Sequence, residues 1–295
     1  MPTKIEKDTL SGRDTTGHEW DGLKELNTPL PRWWLYTFAV TCLIALVLFV
    51  LLPSIPYGPG YFHGLLGLSS RATVAADVKG MEAQRGVFMD KIKSTPIEQV
   101  KQDPQLLAVA EAAGRTVFAS NCQPCHGAGG EGRVGYPNLA DDTWLWGGKL
   151  ADIQQTITYG VRSGNEKMRN STMPAFGALG VLKPEQVEAV TDYVWIALYG
   201  HAAAGADLAQ GRAVYVENCA VCHGANGEGK RDVGAPPLKS AVHLYDDTRE
   251  AVAAQITNPH LGVMPAWERR GNNTGLDPAT IKSVALYVHA LGGGE

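Results

Sequence analysis

The sequence predicts a mainly α-helical protein: one N-terminal membrane-spanning helix followed by two tandem small helical domains of the same kind. Three observations carry that expectation: a long uncharged apolar run near the N-terminus, an internal repeat in the remaining chain, and a CxxCH unit in each copy of the repeat. The 295 residues fit about two domains beyond a short anchor. Lys and Arg total 26 and Asp and Glu total 30, a net charge of -4. Nucleic-acid recognition normally leaves a basic excess, so nothing here points to a nucleic-acid partner. With 44% hydrophobic and 19% charged residues, 34 Gly and 17 Pro, the chain is globular and rich in loops rather than disordered. Five cysteines are too few for a disulfide scaffold; four lie in the CxxCH units and the fifth, Cys42, in the apolar run.

From Trp33 to Leu52 there are 20 residues without a charge. At 1.5 Å per residue such a helix spans roughly 30 Å, the hydrocarbon thickness of a bilayer. Trp33, Trp34 and Tyr36 mark one interface and Tyr57 the other, and Pro53 and Pro56 close the helix. A cleaved signal peptide would lie nearer the N-terminus and end in small residues; here mostly polar residues precede the run and SIPYGPG follows it. Lys4, Lys7, Arg13, Lys24 and Arg32 stand before the run, and no basic residue follows until Arg71. The positive-inside rule therefore puts the N-terminus in the cytoplasm and the large remainder across the membrane. Cys42, mid-span, reads as a small apolar filler.

Beyond the span, Arg71 to about Gln102 reads as an exposed helix, with Met81 and Met89 as packing residues. Two similar stretches follow. After Gly114 the chain reads RTVFASNCQPCHGAGGEGRVGYPNL, from Arg115 to Leu139, and after Gly211 it reads RAVYVENCAVCHGANGEGKRDVGAPPL, from Arg212 to Leu238. TMPAF at Thr172–Phe176 answers VMPAW at Val263–Trp267. LKPEQVEAVTDYVWIAL then answers LDPATIKSVALYVHAL, with Val187, Val190, Val194 and Ile281, Val284, Val288 at helical spacing and a Pro at each start. A repeat this long is a duplicated domain. The expected organisation is an N-terminal segment (1–32), the span (33–55), a helical linker (56–104), and two domains (105–200 and 205–295), separated by a short Gly/Ala stretch from Tyr199 to Ala206.

CQPCH and CAVCH supply the chemistry. Cys122 with Cys125, and Cys219 with Cys222, can form thioethers to the two vinyl groups of a haem, leaving His126 and His223 as iron ligands; this is the c-type haem attachment pattern. A zinc ribbon needs its second CxxC pair about 15–20 residues away, whereas 93 residues separate Cys125 from Cys219. A thioredoxin-like redox motif explains neither the adjacent His nor the doubling. A covalently held haem would also fill the limited core of so small a domain.

Met173, 47 residues after His126, and Met264, 41 after His223, each precede Pro-Ala-aromatic in matching loops. Both are candidates for the second axial position, since Met partners His in cytochromes c and raises the potential. Met168, in EKMRN, is the rival, without a counterpart in the second copy. The remaining histidines, His18, His63, His201, His243, His260 and His289, have no repeat partner and read as surface or packing residues. Pairing within each copy is the default, and a tight contact between copies could cross it. With both irons six-coordinate, the expected product is an electron wire built of two class I cytochrome c-like domains.

The whole chain resembles the dihaem cytochrome c subunit (subunit III) of the cbb3-type haem-copper oxidases. The specific signature is HEWDGLKELNTPLPRWWLYTF, from His18 to Phe38, leading into the span. The resemblance implies two covalently attached haem c groups, and electron transfer from a donor cytochrome c toward the oxidase's monohaem subunit and its catalytic haem-copper subunit. It implies no catalytic site in this chain and a bacterial inner-membrane location with periplasmic haem domains. Some members have two membrane helices; only one is found here. A free membrane-tethered dihaem shuttle, or the cytochrome subunit of a periplasmic dehydrogenase, would share the haem motifs without the His18–Phe38 signature. A dihaem peroxidase is disfavoured by the two Met-Pro-Ala loops.

Overall fold

The computed structural model describes residues 4–202, 205, 207–269 and 274–295. The chain divides into two units, residues 1–82 and 83–295. Part of the Gly/Ala stretch between the copies (203, 204 and 206) lies outside the described residues.

The first unit opens with an antiparallel hairpin, β1 (Thr15–Trp20) and β2 (Leu23–Leu26). Its two-residue turn is Asp21-Gly22, with φ of 46° and 85°; successive positive φ values at Asp-Gly match the twist of the flanking strands. The Glu25 carboxylate accepts bonds from Thr16 Oγ1 and Trp20 Nε1, tying the two strands. Helix α1 (Arg32–Leu51) follows, uncharged after its first residue and without a single buried side chain. It is the one helix among the described residues that is long and apolar enough to cross a membrane. Its last carbonyls are not left open: Leu65 N–H donates to Val50 and Leu66 N–H to Leu51. That return passes over a small hairpin, β3 (Pro56–Tyr57) with β4 (Gly60–Tyr61).

The linker is two helices rather than one. Helix α2 (Ser70–Ser94) stops before Thr95-Pro96, and α3 (Ile97–Gln102) restarts with Pro96 as its N-cap. A proline cannot continue the α2 ladder, and it holds the preceding residue out of helical geometry. Nor is the segment exposed throughout, because Ile92, Ile97 and Val100 are buried core residues. Met89 packs against that core as expected, whereas Met81 is exposed. The Lys282 ammonium closes the end of α2, donating to the carbonyls of Ile92, Lys93 and Thr95.

The α-helices of the rest of the second unit are joined by long loops. Copy one contributes α4 (Pro104–Asn121), the single turn α5 (Gln123–His126), α6 (Leu150–Tyr159) and α7 (Pro184–Asp192), which runs on as a π-helical turn over Tyr193–Leu198. Copy two contributes α8 (Ala209–Asn218), the single turn α9 (Ala220–His223), α10 (Arg249–Thr257) and α11 (Pro278–His289). The predicted helical stripes are all buried: Val187, Val190 and Val194 in α7 and its extension, Ile281, Val284 and Val288 in α11.

Their partners come from the other copy. One core joins Leu106, Ala110 and Phe118 of α4 and Leu150, Ile153 and Ile157 of α6 to the α11 stripe. The second joins Val214 and Tyr215 of α8 and Val252 and Ile256 of α10 to the α7 stripe. Each core is thus composite, with the last helices of the two repeats exchanged. The helix crossings are set by glycine. A Cβ on Gly114 would lie 2.1 Å from the Ser283 carbonyl oxygen, and one on Gly211 would lie 2.1 Å from that of Ala189. Tilted aromatic pairs flank the crossings, Phe118 with Tyr287 and Tyr193 with Tyr215, each with ring centroids 5.3 Å apart.

Two outcomes test this packing. Gly114→Ala or Gly211→Ala forces backbone apart and should cost about 1–3 kcal/mol, the usual range for overpacking. Gly80→Ala, whose Cβ would meet nothing within 4 Å, should be neutral or stabilising. Denaturant unfolding followed by circular dichroism separates these cases. A single proteolytic cut between Tyr199 and Asp207 should leave the two fragments co-eluting in native gel filtration and parting only in denaturant. Free separation without denaturant is incompatible with exchanged helices.

Candidate functional site

Each CxxCH unit sits on a single helical turn set at an angle to the helix before it. The break falls at Cys122 and Cys219, whose N–H groups still bond to Phe118 and Tyr215 while their carbonyls accept from His126 and His223. The loop that follows explains the GxxGEG pattern. Gly127, Gly130 and Gly132 have φ of 83°, 78° and 70°, and Gly224, Gly227 and Gly229 have 79°, 79° and 78°. All lie in the region that other residues enter at a cost. The intervening acid ties the loop: Glu131 accepts from Gly129 N–H at 2.8 Å and Glu228 from Asn226 N–H at 3.0 Å.

These loops return a proline carbonyl to each histidine. His126 Nδ1 lies 3.0 Å from the Pro137 carbonyl and His223 Nδ1 lies 3.0 Å from that of Pro236. A carbonyl only accepts, so Nδ1 carries the proton and Nε2 keeps a free lone pair, the tautomer a metal requires. Burial pushes both imidazoles' pKa values down against the opposing effect of that bond, which favours the neutral ring. Pro137 and Pro236 were not singled out by sequence, although the shared Pro-x-Leu endings of the repeat carry the signal.

All four cysteines of the motifs are free thiols, so none is spent in a disulfide. Burial, reinforced by the neighbouring Cys125, pushes the Cys122 thiol up to about 11; Cys219, beside Cys222, is likewise raised to about 11. Redox CxxC motifs work the other way, lowering the pKa to expose a thiolate. A protonated, half-buried thiol at Cys122 and at Cys219, each close to a ligand-ready imidazole, fits thioether attachment of haem instead. A further fit comes from Arg169. Its guanidinium bonds Asp152 through Nη2 at 2.9 Å and lies over the Trp146 ring, while its buried Nε–H has no partner among the described residues. A buried cationic donor left open suits a carboxylate such as a haem propionate.

The structure does not bring Met173 to the first CxxCH unit. Met264 and Cys122 both pack against the first core, and Met173 and Cys219 both pack against the second. Met264 is fastened there by a two-bond bridge to Val161, with N···O distances of 3.0 Å in both directions. Gly160 makes room, since a Cβ there would lie 2.3 Å from the Met264 carbonyl. Trp267 and Glu268 continue along the end of α6, donating to Ile157 and Thr158. Reciprocally, Ala178 after the Met173 loop donates to Thr257 at the end of α10. The default expectation of pairing within each copy therefore meets a packing of the opposite sense, because each loop is carried across with the exchanged helix it leads into. The sulfur of Met168 accepts from Gly164 N–H in a local turn at 3.2 Å.

The other histidines find surface or packing roles. His201 stacks on Trp195 and lies 3.7 Å from the Asp247 carboxylate, His243 stacks on Tyr199, and His289 bonds the Glu295 carbonyl.

Comparison with known families decides the lineage. The family model described as cytochrome c oxidase, cbb3-type, subunit III matches residues 109–194 and again 206–288, and that of the N-terminal domain of cytochrome oxidase-cbb3, FixP, matches 12–59. The chain belongs to the cbb3-type cytochrome c oxidase subunit III family. It is 48% identical over the full length of both chains to the cbb3-type cytochrome c oxidase subunit FixP of Bradyrhizobium sp. strain ORS 278. It is 47% identical to the subunit CcoP of Azospirillum sp. strain B510, with 98% of each chain covered, and 43% identical over the full length of both to the CcoP of Cereibacter sphaeroides. This subunit III chain is thus an electron-transferring, haem c-binding, membrane-anchored cytochrome subunit, with α1 as its candidate span. The two matches to one model coincide with the internal repeat, and the N-terminal match covers the His18–Phe38 signature.

Proposed function

We propose that this subunit III holds two haem c groups in crossed ligation and works as the electron-entry arm of its oxidase. Cys122 and Cys125 bind one haem, with His126 and Met264 as axial ligands. Cys219 and Cys222 bind the other, with His223 and Met173. The observation that carries the crossing is that Met264 and Cys122 border one core while Met173 and Cys219 border the other. When bound, haem c supplies a one-electron iron couple. The protein's own part is to present a neutral Nε2 from each histidine, to hold a thioether from the other copy opposite it, and to enclose both in apolar side chains. A soft thioether favours the reduced metal and so raises the potential. With both axial positions filled by side chains, nothing is left for oxygen to bind, which suits transfer rather than catalysis. The donor is a cytochrome c and the acceptors are the oxidase's monohaem and haem-copper subunits, as the resemblance implies. The N-terminus faces the cytoplasm and the haem domains the periplasm, supported by the basic residues that precede α1.

Attachment and crossing are tested together. Denatured wild-type protein should retain two haems, and the Cys122→Ala, Cys125→Ala variant one, because thioethers survive unfolding and axial bonds do not. In that variant the remaining haem should lose its thioether band on Met173→Leu and keep it on Met264→Leu. The reverse response would establish pairing within each copy. Leu keeps a similar volume, so the fold should survive.

Orientation is tested by protease added to the periplasmic face of spheroplasts. It should remove the chain beyond Gly60 and spare the segment before Trp33. A protected haem region would reverse the assignment.

A further inference from the structure

We infer that Arg162 is a positioning residue that locks both methionine loops at once, so that one side chain governs the axial ligation of both irons. The inference rests on the proposed ligation by Met173 and Met264. It holds whichever haem each methionine serves.

Arg162 lies beyond α6, next to Val161, which forms the two-bond bridge to Met264. Its Nε donates to the Gly262 carbonyl at 2.7 Å and its Nη1 to the Ser171 carbonyl at 2.8 Å. Gly262 stands two residues before Met264, and Ser171 two before Met173. The guanidinium therefore joins the same point of both Met-Pro-Ala loops, one from each copy. Its donors are fixed in a rigid plane, so moving one loop moves or breaks the bond to the other.

The backbone shows that the position is held rather than merely available. Arg162 has φ of 49°, one of two non-glycine residues with positive φ among the described residues. Such a conformation persists only where surroundings over-determine it. The neighbouring bonds do so: Arg162 N–H donates to the Arg169 carbonyl, and Arg169 N–H to that of Gly160. The repeat offers no second copy of the device. ITYGVR, ending at Arg162, aligns with ITNPHL, ending at Leu261, so leucine stands in the arginine's place. The loop to the methionine is ten residues in copy one and two in copy two. One arginine thus serves two loops, and its positive charge lies beside both.

The test uses the full-length, haem-loaded protein with three variants, R162Q, R162K and R162G. The readouts are the sulfur-to-iron charge-transfer band of the oxidised protein and the two midpoint potentials from a spectroelectrochemical titration. R162Q should weaken the band by more than either Met173→Leu or Met264→Leu does alone, and should lower both potentials. R162G relieves the φ of 49°, yet should behave like R162Q, because the side chain carries the effect. R162K keeps the charge without the fork and should fall between R162Q and wild type. Haem retained after denaturation reports whether each variant has matured, and R162K supplies the comparison if R162Q does not. A wild-type band and potentials in the matured variants, or a change confined to one haem, would overturn the inference. If instead the two Met→Leu controls leave the spectrum unchanged, the axial assignment itself has failed, which is a separate result.

Discussion

The close crossing of α4 with α11, and of α8 with α7, is the constraint on which the rest of the second unit depends. At Gly114 and Gly211 a carbonyl of the facing helix occupies the place of a Cβ. No other residue allows that approach, and the flanking pairs Phe118–Tyr287 and Tyr193–Tyr215 fix its rotation. Because the facing helix belongs to the other repeat, neither core closes from one copy alone. The methionine loops precede those helices in the chain and are carried across with them. Crossed placement of Met173 and Met264 is therefore a consequence of helix packing and needs no separate cause.

The CxxCH turns, by contrast, are local. Each is built from a short stretch running from the first helix to the returning proline, and all its special conformations come from its own glycines. This division explains how much could be read from sequence. The haem motifs, the span and the buried stripes of α7 and α11 are written in spacing and periodicity, which act over a few turns. The Asp21-Gly22 hairpin and the Pro96 break were equally local and were legible signals that went unused. The exchange was not legible. Two copies with the same glycine, aromatic and apolar pattern satisfy either pairing, so periodicity cannot choose between them. Arg162 was hidden for the same reason: its partners are Gly262 and Ser171 carbonyls, and a carbonyl has no sequence signature.

The site also shows why apolar enclosure and polar exactness coexist in one small volume. Burial raises the Cys122 and Cys219 thiols and lowers the two imidazoles, which favours the uncharged form of each of these four groups. An uncharged imidazole still has two tautomers, and only the proline carbonyl selects one. The apolar core sets the charge state, and a single backbone acceptor sets the direction in which each histidine presents its lone pair.

What selects the exchange must be found where the copies differ, and on the exchanged helices they differ in charge. Arg249 of α10 bonds Asp192 and Glu188 of α7, at 2.7 Å and 2.6 Å, and these bonds hold its guanidinium charged. In the repeat, Lys282 and Leu286 of α11 stand at the positions of Glu188 and Asp192. Pairing within copy two would therefore set Arg249 against a lysine. Pairing within copy one would bring Glu188 to the C-terminal carbonyls of α2, where Lys282 now donates three bonds. An acid at a helix C-terminus is repelled by the same carbonyls that a lysine satisfies. Each exposed pair alone is worth little. Their signs agree, however, and the two topologies bury the same apolar stripes, so the charges act on a difference from which the large hydrophobic contribution has cancelled.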